Sequence, residues 1–184
     1  MKQNAKTAVL VFHLHMEASR INARLMREAK GHEDKGILVL DEYAALCSNK
    51  IDIPSEQAFF KGCDRLVWQF PMYWYSCPPL LKEWEDLVLT YGWADGNHGD
   101  ALKGKELMLA VSVGSAGENY HHEGEFGYTV DELLAPFKAT SNLIGTVYRK
   151  PFILTGISSG MSDQNLEKAA KDYLSCLQGD WPAQ

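Results

Sequence analysis

RLVWQFPMYWYSCPPLLKEWEDLV, residues 65–88, joins two different hydrophobic patterns through a stiff aromatic connection. Residues 65–70 form a short apolar run of the kind typical of a buried strand. Over residues 80–88 the apolar side chains recur instead at helical spacing. The connection, residues 71–79, holds three aromatic residues and three prolines. Its Pro78-Pro79 pair suits the first turn of a helix, where a missing N–H costs nothing. The segment therefore predicts a strand, a rigid loop and a helix, in that order.

The aromatic loop has two interpretations. A loop of stiffened rings at the carboxyl end of a parallel strand is where open α/β folds bind planar ligands. The alternative is that the rings pack against one another as a small satellite core, as aromatic clusters often do. These residues alone leave both interpretations open.

Composition narrows the class of protein. The chain has 184 residues, 46% of them apolar and 23% charged, which suits one globular domain, and we expect a single domain over residues 1–184. The net charge of −6, without a basic cluster, argues against a nucleic-acid partner. Four widely spaced cysteines without a C-x-x-C pair argue against a zinc site or redox dithiol and favour a reducing compartment. With no leader pattern and no membrane-spanning apolar stretch, a cytoplasmic location is predicted, and attachment to a membrane through a partner stays open.

The first strand and helix form a possible anion site. Residues 8–12 predict a buried strand, and a helix is expected over residues 20–30, capped by Ser19 and ended by Gly31. A helix N-terminus after such a strand favours a bound phosphate, although neither G-x-G-x-x-G nor G-x-x-x-x-G-K-[ST] is present. If a phosphate binds, Ser19, Arg20 and Asn22 supply the side-chain donors. The alternative is a plain helix cap with surface polar residues.

The remaining pattern alternates strands and helices. We predict further strands at 36–40, 66–70, 107–113 and 149–155, and further helices at 55–62, 79–91, from Thr129 with a kink at Pro136, and from Ser162. Residues 44–54 are irregular. Five strands alternating with five helices predict an α/β three-layer sandwich with a five-stranded parallel sheet in the flavodoxin-like strand order.

A second loop with candidate functional residues, 114–124, follows the fourth strand. Its small residues let backbone N–H groups approach a ligand closely. His121 and His122 are adjacent there, but no third ligand is spaced to join them, so no metal site is expected.

The chain resembles a known family at several of these places. The segment WQFPMYWYSCPPLLKEW, residues 68–84, resembles the central motif of flavodoxin-like NAD(P)H:quinone oxidoreductases, and most closely that of the ancillary oxidoreductases of Kef-type glutathione-regulated potassium efflux systems. The resemblance continues through YGWA at 91–94, ALKGK at 101–105 and LAPF at 134–137. It covers nearly the whole chain.

The resemblance implies a flavin held between three loops. His13 and the residues Ser19, Arg20, Ile21 and Asn22 would hold the phosphate. Met72, Tyr73, Trp74 and Tyr75 would lie along the isoalloxazine, and Ser112, Val113, Gly114 and Ser115 would bond its pyrimidine edge. Because the chain stops soon after its last helix, the segment that larger relatives wrap around an adenosine is short or absent, which favours FMN over FAD.

The resemblance also implies an activity and partners. The expected reaction is a two-step, ping-pong transfer of hydride from NADH or NADPH through the flavin to a quinone. The alternative role is that of a regulatory subunit of a Kef-type transporter, which would place the protein at the inner face of the membrane. A homodimer is expected, with the second subunit partly covering the pocket. A one-electron carrier is disfavoured, because Trp74, Tyr75, Trp93 and Tyr120 would cover the flavin.

Two departures from the family pattern affect the catalytic residues. Relatives often carry Thr-Thr-Gly-Gly where this chain has Ser112-Val113-Gly114-Ser115. Quinone reductases pair a tyrosine with a histidine six residues later, whereas here Tyr120 is followed by Phe126. We therefore expect Tyr120 to be catalytic, with His121 or His122 replacing the missing imidazole. The alternative is that both histidines are solvated.

Overall fold

A parallel sheet forms the centre of the computed structural model, which describes residues 5–46, 48 and 50–182. Its strands within those residues are β1 (Thr7–Val11), β2 (Ile37–Asp41), β3 (Arg65–Pro71), β4 (Glu106–Ser112), β5 (Val147–Tyr148) and β6 (Phe152–Leu154). The order is β2-β1-β3-β4-β5, and β6 also pairs with β4. Every pairing is parallel, and β1, β3 and β4 are almost wholly buried, as expected for a sheet covered on both faces. The predicted flavodoxin-like order is confirmed.

Helices cover both faces of this sheet. They are α1 (Arg20–Lys30), α2 (Glu42–Ala45), α3 (Ile53–Lys61), α4 (Pro79–Val88), α5 (Val130–Leu133), α6 (Ala135–Leu143) and α7 (Asp163–Gln178). Short 3₁₀ turns lie at Met16–Ala18, Glu33–Lys35, Gly117–Asn119 and Ile157–Ser159. Helices α1 and α7 contribute to one hydrophobic core, and α3, α4 and α6 contribute to a second. The result is the predicted three-layer sandwich.

The second core is built around Trp84 of α4. Its ring meets Trp68 of β3 edge-on at 5.7 Å and Phe60 of α3 at 5.3 Å. Edge-to-face pairs of this kind add about 0.5–1.5 kcal/mol each beyond the area they bury. The apolar stripe predicted for residues 80–88 therefore fixes the helix that follows the aromatic loop.

Three predicted helix starts are confirmed at their caps. The side chains of Ser19 and Ser162 accept from the N–H groups of Asn22 and Asn165. Thr129 and Glu132 form the reciprocal capping box. These signals are local in sequence, since each cap lies three residues from its donor.

The structure corrects the bounds of two predicted helices. The expected kinked helix is two helices, α5 and α6, because Pro136 lies in the first turn of α6, where its missing N–H is tolerated. The helix expected to reach Tyr91 ends at Val88, whose carbonyl accepts 2.9 Å from the Gln57 side chain.

Two further differences concern the sheet edges. The irregular stretch predicted at 44–54 overlaps α2, which Asp41 caps, and the start of α3, which Asp52 caps. The predicted fifth strand is two short strands, β5 and β6, with Pro151 between them, since proline has no N–H for the ladder.

Two expectations concern cysteines and membranes. Cys63, Cys77 and Cys176 are free thiols, and Cys47 lies outside the described residues. In the described part of the chain, none of the helices has both the length and the apolarity that crossing a bilayer requires.

Candidate functional site

Four loops meet where β1, β3, β4 and β6 end, and two cavities lie among them. The larger, of about 490 Å³, extends from the start of α1 to the loop after β6. The smaller, of about 190 Å³, lies under the aromatic turn after β3. Met72 and Gly114 line both cavities, so the two adjoin along one edge of the sheet. Ligands of open α/β folds bind at this carboxyl edge.

The first cavity has hydrogen-bond donors suited to an anion. Ser19 and the backbone at Arg20 and Ile21 line it, and the N–H groups of Arg20 and Ile21 find no acceptor in the described part of the protein. These are the free donors that the first turn of an α-helix always leaves. Because the helix dipole also favours negative charge there, the cavity suits a phosphate.

His13 adds a donor at the end of β1. Its Nδ1 accepts from the N–H of His15 at 3.2 Å, which leaves the proton of the neutral ring on Nε2. Burial lowers the pKa of His13, and nearby His15 lowers it further, against the opposing effect of Glu17 and Asp41. His13 therefore faces the cavity as a neutral imidazole near pH 7.

Two predicted phosphate ligands are engaged elsewhere by their side chains. The Arg20 guanidinium donates to the carbonyl of Met161 and to the Asp163 carboxylate, at 2.5 Å for the latter. Asn22 is 2% exposed and donates from Nδ2 to the Ser112 hydroxyl at 2.9 Å. Both residues border the cavity, but their side chains tie the start of α1 to neighbouring elements.

Asn22 belongs to a buried polar network that sequence reasoning missed. Gln69 of β3 donates to the Asn22 carbonyl at 3.0 Å, and Tyr173 of α7 donates to the Gln69 side chain at 3.1 Å. With Ser112, the network connects α1, β3, β4 and α7 below the cavity. Since buried polar groups must be satisfied, it fixes how these elements sit against one another.

The aromatic loop is a tight turn with unusual backbone angles. Tyr73 and Ser76 exchange two backbone hydrogen bonds, at 3.3 and 3.0 Å, around Trp74 and Tyr75. Trp74 has φ +47° and Tyr75 has φ +61°, the left-handed pair of a type I′ turn that normally selects Asn-Gly. Such angles cost about 1–3 kcal/mol each in bulky residues and cluster at functional sites. Trp74 is 92% exposed.

The smaller cavity pairs this turn with the loop after β4. Of the four residues predicted for the ring edge, Ser112 is bound to Asn22, and the Val113 N–H donates to Leu154 at 2.7 Å. Gly114 and Ser115 have N–H groups without an acceptor among the described residues. They are the two free backbone donors of that set.

Tyr120 lines the smaller cavity beside Ser115. Burial raises the pKa of Tyr120, against the opposing effect of a hydrogen bond with Ser115, so the hydroxyl keeps its proton at neutral pH. Phe126 packs between Tyr120 and Tyr75 with its ring tilted against both, at centroid distances of 4.8 and 5.5 Å. The residue at the position of the family histidine thus packs the two tyrosines.

The structure does not bring every predicted residue to the cavities. His121 and His122 are exposed and line neither, and His122 faces Glu132, with Nε2 3.5 Å from the carboxylate. Trp93 is half-buried and packs against the second core. A catalytic part for either histidine stays a prediction.

The loop after β6 was not among the predicted site residues. Ile157, Ser158 and Gly160 line the larger cavity. Ser158 N donates to the Gly114 carbonyl at 2.9 Å, and a side chain at Gly114 would meet the Ser158 hydroxyl at 2.8 Å. The signal was present in the sequence, since Gly156-Ile157-Ser158-Ser159-Gly160 is a run of small residues after the last strand.

A larger cavity lies at the opposite edge of the sheet. It measures about 570 Å³ and is lined by Lys6, Lys35 and Arg65 among others, at the amino ends of the strands. Arg65 is already engaged there by Glu106 at 2.7 Å and by the Gly179 carbonyl at 2.9 Å. Because open α/β sheets bind ligands at their carboxyl edge, size does not make this cavity the candidate site.

The relatives of this chain are similar along almost its full length. A family described as having a flavodoxin-like fold matches residues 5–177. General stress protein 14 of Bacillus subtilis is 47% identical over 94% of this chain and 97% of its own. The uncharacterized NAD(P)H oxidoreductase YrkL of B. subtilis is 42% identical over 92% and 97%. The potassium-efflux ancillary protein KefF of Klebsiella aerogenes is 37% identical over 94% of both.

Solved structures are also similar to this chain along almost its full length. General stress protein 14 of Treponema denticola, in complex with FMN, has a TM-score of 0.89 at 41% identity, over 94% of this chain and 97% of that one. An NADPH-quinone reductase from P. pentosaceus has a TM-score of 0.83 at 26% identity, over 95% and 99%.

Proposed function

Since this chain belongs to the family of proteins with a flavodoxin-like fold, we propose that it is an FMN-dependent NAD(P)H:quinone oxidoreductase. One observation carries the proposal: a cavity with free N–H donors at a helix N-terminus adjoins an aromatic cavity along Met72 and Gly114. A ligand in which a phosphate is joined to a planar ring needs two such cavities side by side. The relatives named as NAD(P)H oxidoreductases, and the neighbour solved with FMN, support it.

The residues present fit FMN. For the phosphate, we assign the free N–H groups of Arg20 and Ile21, the Ser19 hydroxyl and Nε2–H of His13. Arg20 and Asn22 act at this end mainly by holding α1 in place, through Asp163 and Ser112. FAD is disfavoured, because the neighbour with the highest TM-score named above binds FMN.

For the ring, the aromatic turn and the loop after β4 form the two sides. Met72, Trp74 and Tyr75 line one side, and Tyr73 lines the larger cavity. The free N–H groups of Gly114 and Ser115 on the other side are donors for a ring edge that would accumulate negative charge. The strained turn is rigid because two backbone hydrogen bonds close it. A rigid wall reduces the ordering that a bound ring would otherwise require.

When held by these residues, FMN would supply the redox chemistry, the reversible acceptance of a hydride that links oxidation of a reduced nicotinamide to reduction of a quinone. We expect the nicotinamide and the quinone to use one position in turn, in a ping-pong cycle, since each must lie against the ring to exchange electrons with it. Tyr120 then donates its hydroxyl proton in a hydrogen bond to the quinone oxygen as charge develops there. Phe126 holds the Tyr120 ring in position by packing against it.

A homodimer completes the proposal. Trp74 and Tyr75 are large exposed rings that line the smaller cavity, and soluble proteins rarely leave such patches uncovered. A two-fold contact with a second copy is the commonest way to cover one patch with itself. Sizing experiments that find an active monomer would overturn this part.

A second candidate function is regulation of a Kef-type potassium efflux transporter. The KefF relative, 37% identical over 94% of this chain, favours it, and it would place the protein at the inner face of the membrane. The net charge of −6 suits a basic cytoplasmic surface on the transporter. Unchanged efflux after deletion of the gene would reject this role and leave the enzyme intact.

The test of the enzyme is binding and turnover with purified protein. We expect a yellow protein that titrates to one FMN per chain, and that turns over NADH or NADPH catalytically only when a quinone is present. A protein that binds neither FMN nor FAD contradicts the proposal. One that binds FMN but leaves the nicotinamide oxidation rate unchanged by quinone restricts it to flavin binding.

A further inference from the structure

A fourth cavity, of about 360 Å³, lies away from the proposed FMN site, beside β2, α2 and α3. Its apolar walls include Leu40, Leu46, Ile51 and Phe59. Its charged lining is acidic: Glu42, Asp52 and Glu56. Among its lining residues there is no lysine, arginine or histidine to balance them. The volume falls at the lower end of the range of about 300–1,000 Å³ for small-molecule sites.

Glu42 is the feature that points to a ligand. It is 2% exposed, and its carboxyl oxygen Oε1 is buried without a hydrogen-bond partner in the described part of the chain. Burying a carboxyl without partners costs free energy, and natural structures satisfy such groups in the great majority of cases. An orphaned, buried carboxyl that lines a cavity therefore indicates a missing partner in that cavity.

Its two acidic neighbours are better satisfied. Glu56 is 6% exposed and accepts from the Trp84 indole N–H at 3.0 Å. Asp52 caps α3 by accepting from the Ser55 N–H at 3.3 Å and from its hydroxyl at 2.8 Å. What the cavity lacks is thus a donor for Glu42, and Glu56 lines the same cavity.

We propose that this cavity binds a small organic primary ammonium ion, with its charged head between Glu42 and Glu56 and its hydrocarbon part against Leu46 and Phe59. A primary ammonium has three donors, enough for two carboxyls, and it matches the excess negative charge. The apolar walls favour an alkyl or aryl body over a bare metal ion. In the described residues, no group of three or more His, Cys, Asp and Glu side chains is arranged to hold a metal.

Binding has a measurable consequence for protons. Burial, followed by the charges of Glu56 and Asp41, raises the pKa of Glu42 to about 9, so the empty site holds Glu42 as the neutral acid at pH 7. Burial also raises the pKa of Glu56, against the hydrogen bond from Trp84 and with Asp52 nearby. An ammonium head that pairs with Glu42 favours the carboxylate, and the displaced proton goes to solvent.

The test is calorimetric titration of the purified, FMN-loaded full chain with n-butylammonium chloride. Glu42→Gln keeps the size of the side chain and removes its charge. Glu33→Gln, at an exposed glutamate in the turn before β2, is the control with the same change in formal charge. We expect saturable binding by wild type and Glu33→Gln, and binding at least roughly tenfold weaker for Glu42→Gln. n-Butanol, of the same length but neutral, is expected to bind at least roughly tenfold more weakly than n-butylammonium.

Three results would overturn the site: no saturable binding by wild type, equal affinity in Glu42→Gln, or equal affinity for n-butanol. A second measurement needs no variant. Titration of wild type at pH 7, in two buffers of different ionisation enthalpy and free of primary amines, is expected to report proton release on binding. Binding without proton release would contradict pairing with Glu42. None of these outcomes depends on quinone reduction, so the site and the proposed enzyme are tested separately.

Discussion

Asn22→Ala tests the buried network that holds α1 beneath the candidate site. The change removes the 2.9 Å hydrogen bond to Ser112 and the long 3.4 Å contact from Gln69. A lost hydrogen bond costs about 1 kcal/mol, and a stranded buried polar group adds about 1–3 kcal/mol, so the loss is about 2–4 kcal/mol in total. For a chain of this size, that lowers Tm by roughly 4–16 °C.

Asn165→Ala is the matched control, because Asn165 holds the same position in α7 as Asn22 holds in α1. Each lies three residues after a capping serine, and their N–H groups donate to it at 3.1 and 3.2 Å. Asn165 is exposed, so its replacement keeps the same gain in helix propensity without touching a network. The assays are urea denaturation and FMN titration. Losses below about 0.5 kcal/mol for Asn22→Ala, relative to Asn165→Ala, would refute the network as a stabilising element.

Three further outcomes are expected. Tyr120→Phe, which removes one positioned donor, should lower kcat for quinone reduction by up to about 10²–10³ in stopped-flow assays. The same assay of alanine variants at the two adjacent histidines tests their predicted catalytic part: a loss of rate in one supports it, and wild-type rates in both leave Tyr120 to act alone. Phe126→Leu, which removes ring contacts at 4.8 and 5.5 Å, should destabilise the protein by about 1–3 kcal/mol and raise KM. Phe126→Tyr should retain the wild-type stability and KM. Urea denaturation and steady-state kinetics measure both quantities, and a Phe126→Leu variant with wild-type values would contradict the role of this ring. Because the pKa of Glu42 is raised to about 9 in the folded protein, the stability it contributes is complete below its unfolded pKa near 4.5 and is lost as pH rises toward 9. Glu42→Gln should therefore become more stable than wild type as pH increases across that window, by up to about 1.4 kcal/mol per pH unit, and a pH-independent difference in urea midpoints would contradict this.

The parts of the fold that were predicted correctly depend on short-range patterns. The caps at Ser19, Thr129 and Ser162 each concern residues three apart, and the buried strands show as short apolar runs. The errors arise where one residue changes its meaning with context. Pro136 starts a new helix instead of bending an old one, and Pro151 divides the last strand.

In the candidate site, too, short-range patterns predict some positions, and long-range packing decides the others. The positions of Met72 to Tyr75 and of Gly114 and Ser115 could be predicted, because they follow strands whose ends meet at one edge. The hydrogen bond from Asn22 to Ser112 could not be predicted, since the two residues are 90 positions apart and only packing brings them together. Likewise, the sequence near His121 leaves open whether this side chain is exposed. In the structure it is exposed, beside the contact between Tyr120 and Phe126.

Anaerobic reduction and reoxidation of the FMN-loaded protein is the most direct test of the proposed enzyme. One equivalent of NADPH, or of NADH, is added without an acceptor, and the visible absorbance of the flavin is recorded before and after one equivalent of a quinone. We expect the absorbance to be lost on reduction and to return in full with a single equivalent of quinone, with no quinone needed for the first step. A flavin that stays oxidised until both substrates are present would contradict the ping-pong cycle, and one that neither nicotinamide reduces would contradict the oxidoreductase itself.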